Sequence, residues 1–422
     1  MFTRVDTLNE TSDATDLWSA KRDEINNALI ANDAVYRSLA EEKVLGWKSE
    51  ALNLLWMSRK KSFKNKSGSK AESSKRFTPE EKKYFEFYLS ALPSAAPNVF
   101  SRDSTKTFLD IGCAPGGLSK FFISLGWRGT GFSLSPEEGG LTMRFTHPFL
   151  EFSTANMAKD QEWRRVTNHL KQCKSGKFDF CNLGVVIDVG QVESDSGAAS
   201  ADLTIRNTQA CKNQLLIMLR TLKNGGNSMF IHSVSHVDSF FFYVDFLVDI
   251  FEKVTVINTL VPSRSPVYVI LSNFLGSSHP RARQLDEYLQ ETSVRYDHPE
   301  DWQVDSWEVV ERILKDKPDF RKSIHEMWSE KLEKLRESRT DAEQRLKNCR
   351  GDAKLFVASQ LQALMPALSG SKKREDKLTK PDIEIKSEIV ETMEIAPPSV
   401  SLTYICGLTP LEEKMTLFFP DY

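Results

Sequence analysis

From Thr107 to Phe274 short β-rich runs alternate with helical runs. TFLDIG precedes SKFFISLG, and GTGFSLS precedes a loop. FDFCNLGVVIDVG precedes TIRNTQACKNQLLIMLRTL, and NSMFIHSV precedes VDSFFFYVDFLVDIF. VTVINTLV and PVYVILSNF then follow each other with only a loop between them. Strands alternating with helices predict an α/β domain with a mostly parallel sheet. The loop-only link predicts an antiparallel last strand.

Within this pattern, LDIGCAPGG (109–117) carries the chemistry. A strand ending at Ile111 delivers the chain to the carboxyl edge of a parallel sheet, where α/β proteins bind ligands. Gly112, Gly116 and Gly117 let the backbone turn sharply and approach a ligand without a Cβ in the way. A helix starting near Leu118 points its first amides there, a place suited to a carboxylate. Asp110 is expected to pair with a cationic amine. A ligand with an amino-acid head and a nucleoside, such as S-adenosylmethionine, fits these features. The spacing is neither GxGxxG nor GxxxxGK[ST].

The flanks are of another kind. The 422 residues leave room for two or three domains. Residues 1–76 read as a helical N-terminal extension, ending in a basic loop at 59–76 with eight Lys/Arg against one acid. Such a loop is either a solvated connection or a phosphate-contacting arm. The α/β domain takes 77–280, opened by FTPEEKKYFEFYLSAL, where Thr78, Pro79 and Glu81 make a helix start. A helical C-terminal region spans 281–368, and a polar linker and tail 369–422. The helical flanks are candidate surfaces for a protein partner. Trp302, Trp307 and Trp328 read as a helix seam rather than a base-stacking platform. The net charge of −2 gives no global signal for nucleic acid.

The six cysteines show no metal-ligand spacing, so no metal is expected and free thiols in a reducing compartment are. MFTRVDTLNETSDATDLW has no apolar core of a signal peptide. The most apolar window, Phe240 to Phe251, carries Asp245 and Asp249 and falls short of the roughly 20 residues a bilayer requires. A cytoplasmic or nuclear protein without membrane attachment is expected.

DIGCAPGG closely resembles the D-L-G-x-A-P-G-G loop of the FtsJ/RrmJ-like ribose 2′-O-methyltransferases. GTGFSLSPEEGG (129–140) resembles the G-I-x-L-P-P-E-L-G-G segment of fungal FtsJ-like proteins. RTLKNGGNSMFI (220–231) is similar to the family's L-x-P-G-G turn, and SRSPVYVI (263–270) to its closing strand. Order and spacing agree over about residues 80 to 275. The resemblance implies a Rossmann-like methyltransferase fold, S-adenosyl-L-methionine as cofactor, and RNA as substrate. Cofactor contacts would come from Asp110, Gly112, Cys113, Ala114, Pro115, Gly116 and Gly117. Ser133 or Ser135, near Glu137 and Glu138, would meet the ribose, and Asn156 or Asp160 the adenine. Cys113 is a loop residue in this reading, not a nucleophile.

The family also implies a catalytic Lys-Asp-Lys-Glu tetrad, whose lysine helps to deprotonate the ribose hydroxyl. Lys60, Lys61, Lys64 and Lys82 all stand upstream of the loop, with Lys61 carried as the catalytic candidate. Gly184 stands where the aspartate should end the fourth strand. Asp188, in VVIDVGQ, is the alternative and also lines the cofactor side. The second lysine is replaced in the zone of His232 and Ser233. His232 is either a substitute base or a histidine tied down at a strand end, and His236 has a weaker claim. Pro266 and Val267 occupy the glutamate's place. The chain is thus read as an FtsJ-like methyltransferase, or as a catalytically impaired relative that binds cofactor, RNA or a partner.

Overall fold

The computed structural model describes residues 23–55, 77–172, 176–186, 197–234, 237–292 and 306–349, together with 353, 355, 356, 359 and 360. The described residues fall into two compact units. One contains 23–37 and 77–331, the other 38–55 and 332–360.

The first unit is built on a seven-stranded sheet. Its strands are β1 (Thr107–Ile111), β2 (Arg128–Ser133), β3 (Leu150–Thr154), β4 (Phe178–Leu183), β5 (Leu222–Ser233), β6 (Phe251–Asn258) and β7 (Pro266–Phe274), in the order β3-β2-β1-β4-β5-β7-β6. The pairs β1–β2, β2–β3, β1–β4 and β4–β5 are parallel. β7 runs antiparallel to both neighbours, β5 and β6. The sheet is the Rossmann-like α/β arrangement expected, with β7 inserted between β5 and β6.

The helices of this unit include α1 (Ala34–Lys48, in its first residues), α2 (Pro79–Ala95), α3 (Gly117–Ser124), α4 (Glu162–Gln172), α5 (Gly197–Thr221), α6 (Val237–Ile250), α7 (Pro280–Glu291), α8 (Trp307–Asp316) and the start of α9 (Pro318–Asn348). Both faces of the central strands are covered, so β1 and β4 are buried nearly throughout. Phe108, Phe180, Met229, Tyr268 and Ile270 face α2 and α3 and pack with Phe121, Phe122 and Trp127. Side chains alternate along a strand, so Cys181 meets Thr221 of α5 on the opposite face, and Phe230 meets Tyr243 of α6 there. β3 is the exception. Glu151 and Phe152 are exposed, as befits an edge strand protected by charge.

α2 begins as its sequence predicts. Thr78 Oγ1 accepts from the Glu81 amide at 3.2 Å, and Glu81 Oε2 accepts from the Thr78 amide at 2.7 Å. β5 starts earlier than the sequence suggests. Gly225, at φ +75°, and Gly226 form an irregularity within the strand, where the register to β4 shifts, instead of a turn before it. α7 opens the region read as helical from residue 281. Trp328 is buried, edge-on to Tyr36 at 4.9 Å, and Trp302 lies outside the described residues. In the second unit, Ala51, Leu52, Leu55, Ala342 and Phe356 form a small core, and buried Glu42 pairs with Arg339 at 2.6 Å.

Candidate functional site

The register sets the rim of the site. Ile111 pairs with Leu183, and Leu183 with Phe230, so Gly112, Gly184 and Ile231 come level at the carboxyl edge. Gly112 sits at φ +83°, and a Cβ there would lie 2.8 Å from the Gly184 carbonyl carbon. The amides of Gly112 and Cys113 both bond to Phe132 O, at 2.7 and 3.1 Å. Ala114 and Pro115, joined by a cis bond, carry the chain to Gly116 at φ +108°. Gly116 caps α3 without any side-chain hydrogen bond, so the first amides of α3 are left for another acceptor. Gly117 opens the helix beside the ring of Tyr88.

Asp110 is 0% exposed. Ser119 Oγ donates to its Oδ2 at 2.6 Å and Asn182 Nδ2 to its Oδ1 at 2.8 Å. Burial pushes its carboxyl above the usual range, against those two hydrogen bonds. A carboxylate held in this way braces β1, β4 and α3. The acceptor that remains beneath the first turn of α3 is Asn182 Oδ1, buried and without a partner among the described residues. Cys113 packs onto Gly131. Burial first, then the negative charge of Asp110, pushes its thiol well up, which makes it a poor nucleophile.

Along the rim at β2 and β3, Ser133 ends its strand, buried. Ser135 caps the single turn Pro136–Glu138, accepting from the Glu138 amide at 3.3 Å. Glu138 Oε1 accepts from Lys159 Nζ at 2.7 Å and from Asn156 Nδ2 at 3.3 Å. The Lys159 hydrogen bond, then that of Asn156, holds the Glu138 carboxyl below its usual range. Asp160 takes no hydrogen bond from Glu138 or Asn156; its charge acts on Lys212. Beyond the turn, the chain crosses back over the glycine loop. The Arg144 amide bonds to Pro115 O at 3.0 Å, and Arg144 Nε meets Glu81 Oε1 at 3.2 Å. A Cβ on Gly116 would lie 2.6 Å from Phe145 Cβ.

Residues 94–274 match the model of the FtsJ-like methyltransferase family. This segment is an FtsJ-like methyltransferase domain. No curated protein matches the chain. Among solved structures, it is similar to a Plasmodium falciparum chain described as a ribosomal RNA methyltransferase, at 20% identity and TM-score 0.32, covering 47% of this chain and 98% of that one. It is also similar to a TehB-like SAM-dependent methyltransferase from Corynebacterium glutamicum, at 13% identity and TM-score 0.26, covering 52% and 97%. A third is human methyltransferase-like protein 13 in complex with SAH, at 12% identity and TM-score 0.29, covering 50% and 93%.

The side of the rim formed by β4, β5 and β7 carries the remaining candidates. Gly184 follows the last residue of β4 and lies against Gly112. Gln214 of α5 then pins Val185, its Oε1 accepting from the Val185 amide at 2.8 Å and its Nε2 donating to the carbonyl at 3.2 Å. Asp188, Lys60, Lys61, Lys64 and His236 lie outside the described residues. Lys82 is exposed on the first turn of α2. His232 Nδ1 lies 2.8 Å from Ser233 O, with Phe230, Phe240 and Tyr243 around the ring. It faces α6, whereas Asp110 and Asn182 face α3, so the sheet separates them. Pro266 and Val267 pair with Ser233 and His232. Facing α3 instead is a pair the sequence reading missed, Tyr88 and Tyr268, hydroxyl to hydroxyl at 3.2 Å. Among the described residues no three His, Cys, Asp or Glu side chains group to hold a metal, and no helix is long and apolar enough to cross a membrane.

Proposed function

We propose that the FtsJ-like domain transfers a methyl group from S-adenosylmethionine to a ribose 2′-hydroxyl of RNA. The observation that carries the donor half is the sequence of unsatisfied and polar groups along one rim. Uncapped α3 amides suit a carboxylate. Asn182 Oδ1, buried without a donor, suits an ammonium. The Glu138 carboxylate accepts from ribose hydroxyls, and Asn156 offers an amide to the adenine edge. When bound, S-adenosylmethionine supplies an electrophilic methyl on sulfonium sulfur. The chain's own residues hold its two ends, and the glycines at 112 and 184 keep side chains off the rim between them.

The acceptor half rests on the family and on local charge. Lys82 and Lys83 are exposed beside the Glu81–Arg144 pair at the mouth of the glycine loop. The basic stretch 59–76 joins α2 immediately before Phe77. Positive charge there suits a phosphate backbone.

A second reading has specific support: a relative that binds the donor without transferring methyl. Among the described residues Gly184 leaves no carboxylate at the end of β4, and His232 faces the other side of the sheet. Calorimetry with S-adenosylmethionine tests both readings, since no heat at millimolar concentration would remove both. Transfer of labelled methyl to total RNA separates them. Label that resists periodate cleavage of unmodified ribose ends, after digestion to nucleosides, identifies the 2′-oxygen.

A further inference from the structure

The hydroxyls of Tyr88 and Tyr268 have two protons between them and one hydrogen bond in common. Tyr268 is 3% exposed and has no other hydrogen-bond partner among the described residues, so it uses its proton on Tyr88. The proton of Tyr88, the more exposed of the two, is left over. Burial pushes both phenols up, most of all by desolvation, and the charge of Asp110 adds to this at Tyr88. Tyr88 therefore stays a donor throughout the working range of pH.

The position of that donor is specific. A Cβ on Gly117 would lie 3.7 Å from Tyr88 Cε2, so the ring leans on the first residue of α3. The amides there have no side-chain cap. Beneath the same turn, Asn182 is 2% exposed with Oδ1 unpartnered. Three independent features thus converge on one small volume: amides seeking an anion, an amide oxygen seeking a donor, and a phenol with a spare proton. An α-amino acid head group answers all three.

We propose that Tyr88, oriented by Tyr268, donates a hydrogen bond to the amino-acid carboxylate of the methyl donor. This rests on the reading of the domain as an S-adenosylmethionine site. It makes Tyr88 a selectivity residue, discriminating the intact donor from nucleosides that lack the amino-acid head.

The test is calorimetric and needs no methyl acceptor. S-adenosylhomocysteine and 5′-methylthioadenosine are titrated into wild type, Tyr88→Phe and Tyr268→Phe, each checked for an unchanged melting profile. Tyr88→Phe should weaken S-adenosylhomocysteine about tenfold, as for a hydrogen bond to a charged group, and leave 5′-methylthioadenosine within about twofold. Tyr268→Phe, which only frees Tyr88 to turn, should lose less than Tyr88→Phe. Equal losses for both ligands, or none for either, overturn the proposal while the donor site stands. Failure of wild type to bind either ligand overturns the donor site as well. Should Tyr88→Phe melt early, Tyr88→His, which restores a donor, must recover the selective affinity.

Discussion

Gly112 and Gly184 touch backbone to backbone at the ends of neighbouring strands, with room for a Cβ on neither. At Gly112 the nearest atoms would be the carbonyl carbon and oxygen of Gly184, at 2.8 and 2.9 Å. Gly139 also has positive φ, +90°, but nothing within 4 Å. Gly139→Ala should therefore cost only the left-handed strain, about 1–2 kcal/mol. Gly112→Ala adds a clash with backbone that has no rotamer to change, and should cost clearly more. Urea unfolding of both variants gives the difference. Equal losses would mean that the strand ends part easily.

Asp110 makes stability depend on pH in an unusual sense. Its carboxyl is raised in the folded state, so the fold binds that proton more tightly than the unfolded chain does. Its contribution is fully present below the unfolded carboxyl value of about 4 and is lost as pH rises through the folded value. Asp110→Asn fixes the neutral form and keeps two hydrogen-bonding atoms for Ser119 and Asn182. The stability of wild type relative to Asp110→Asn should fall as pH rises from about 4. A constant gap from pH 4 to 8 would show that the site solvates the charge.

Glu81 serves two partners, closing the capping box of α2 with one oxygen and meeting Arg144 with the other. Thr78→Ala should cost about 1 kcal/mol as an ordinary lost cap. Glu81→Gln keeps an acceptor for the Thr78 amide but loses the charge opposite Arg144. It should leave global stability within about 0.5 kcal/mol and speed amide exchange at Arg144, whose amide hydrogen bond to Pro115 holds the 139–149 segment over Gly116. Unchanged exchange would assign that hold to Met143 and Phe145 alone.

The α/β pattern was legible because buried parallel strands carry apolar residues on both faces, as Phe108 and Leu109 of β1 and Phe180 and Leu183 of β4 do. The loop-only link between β6 and β7 was enough to predict their antiparallel pairing, but not that β7 slips in beside β5. The start of α2 was legible because its cap is local, within four residues. The burial of Asp110 was not legible because its orientation depends on Asn182, 72 residues away, although sharing a face with Phe108 was the available signal. Tyr88 and Tyr268 are 180 residues apart, and nothing periodic in the segment 139–149 shows that it folds back over the glycine loop. Asp188 and Lys61 stay where the sequence placed them, as candidates outside the described residues.

Glu138 tests the nucleoside end of the rim. Lys159 and Asn156 aim its carboxylate and hold it below its usual range, so it is ionised at neutral pH. Glu138→Gln keeps the shape but halves the acceptors and removes the charge. It should weaken S-adenosylhomocysteine and 5′-methylthioadenosine alike, by about tenfold, because both carry the ribose hydroxyls. This is the opposite of the selective loss expected at Tyr88. Wild-type affinity for both should also stay flat from about pH 5 upwards, since the carboxylate gains no proton there. Lys159→Met, which frees Glu138 to swing, should fall between wild type and Glu138→Gln. A Glu138→Gln variant that binds both ligands as wild type does would move the ribose contact to Ser133 or Ser135.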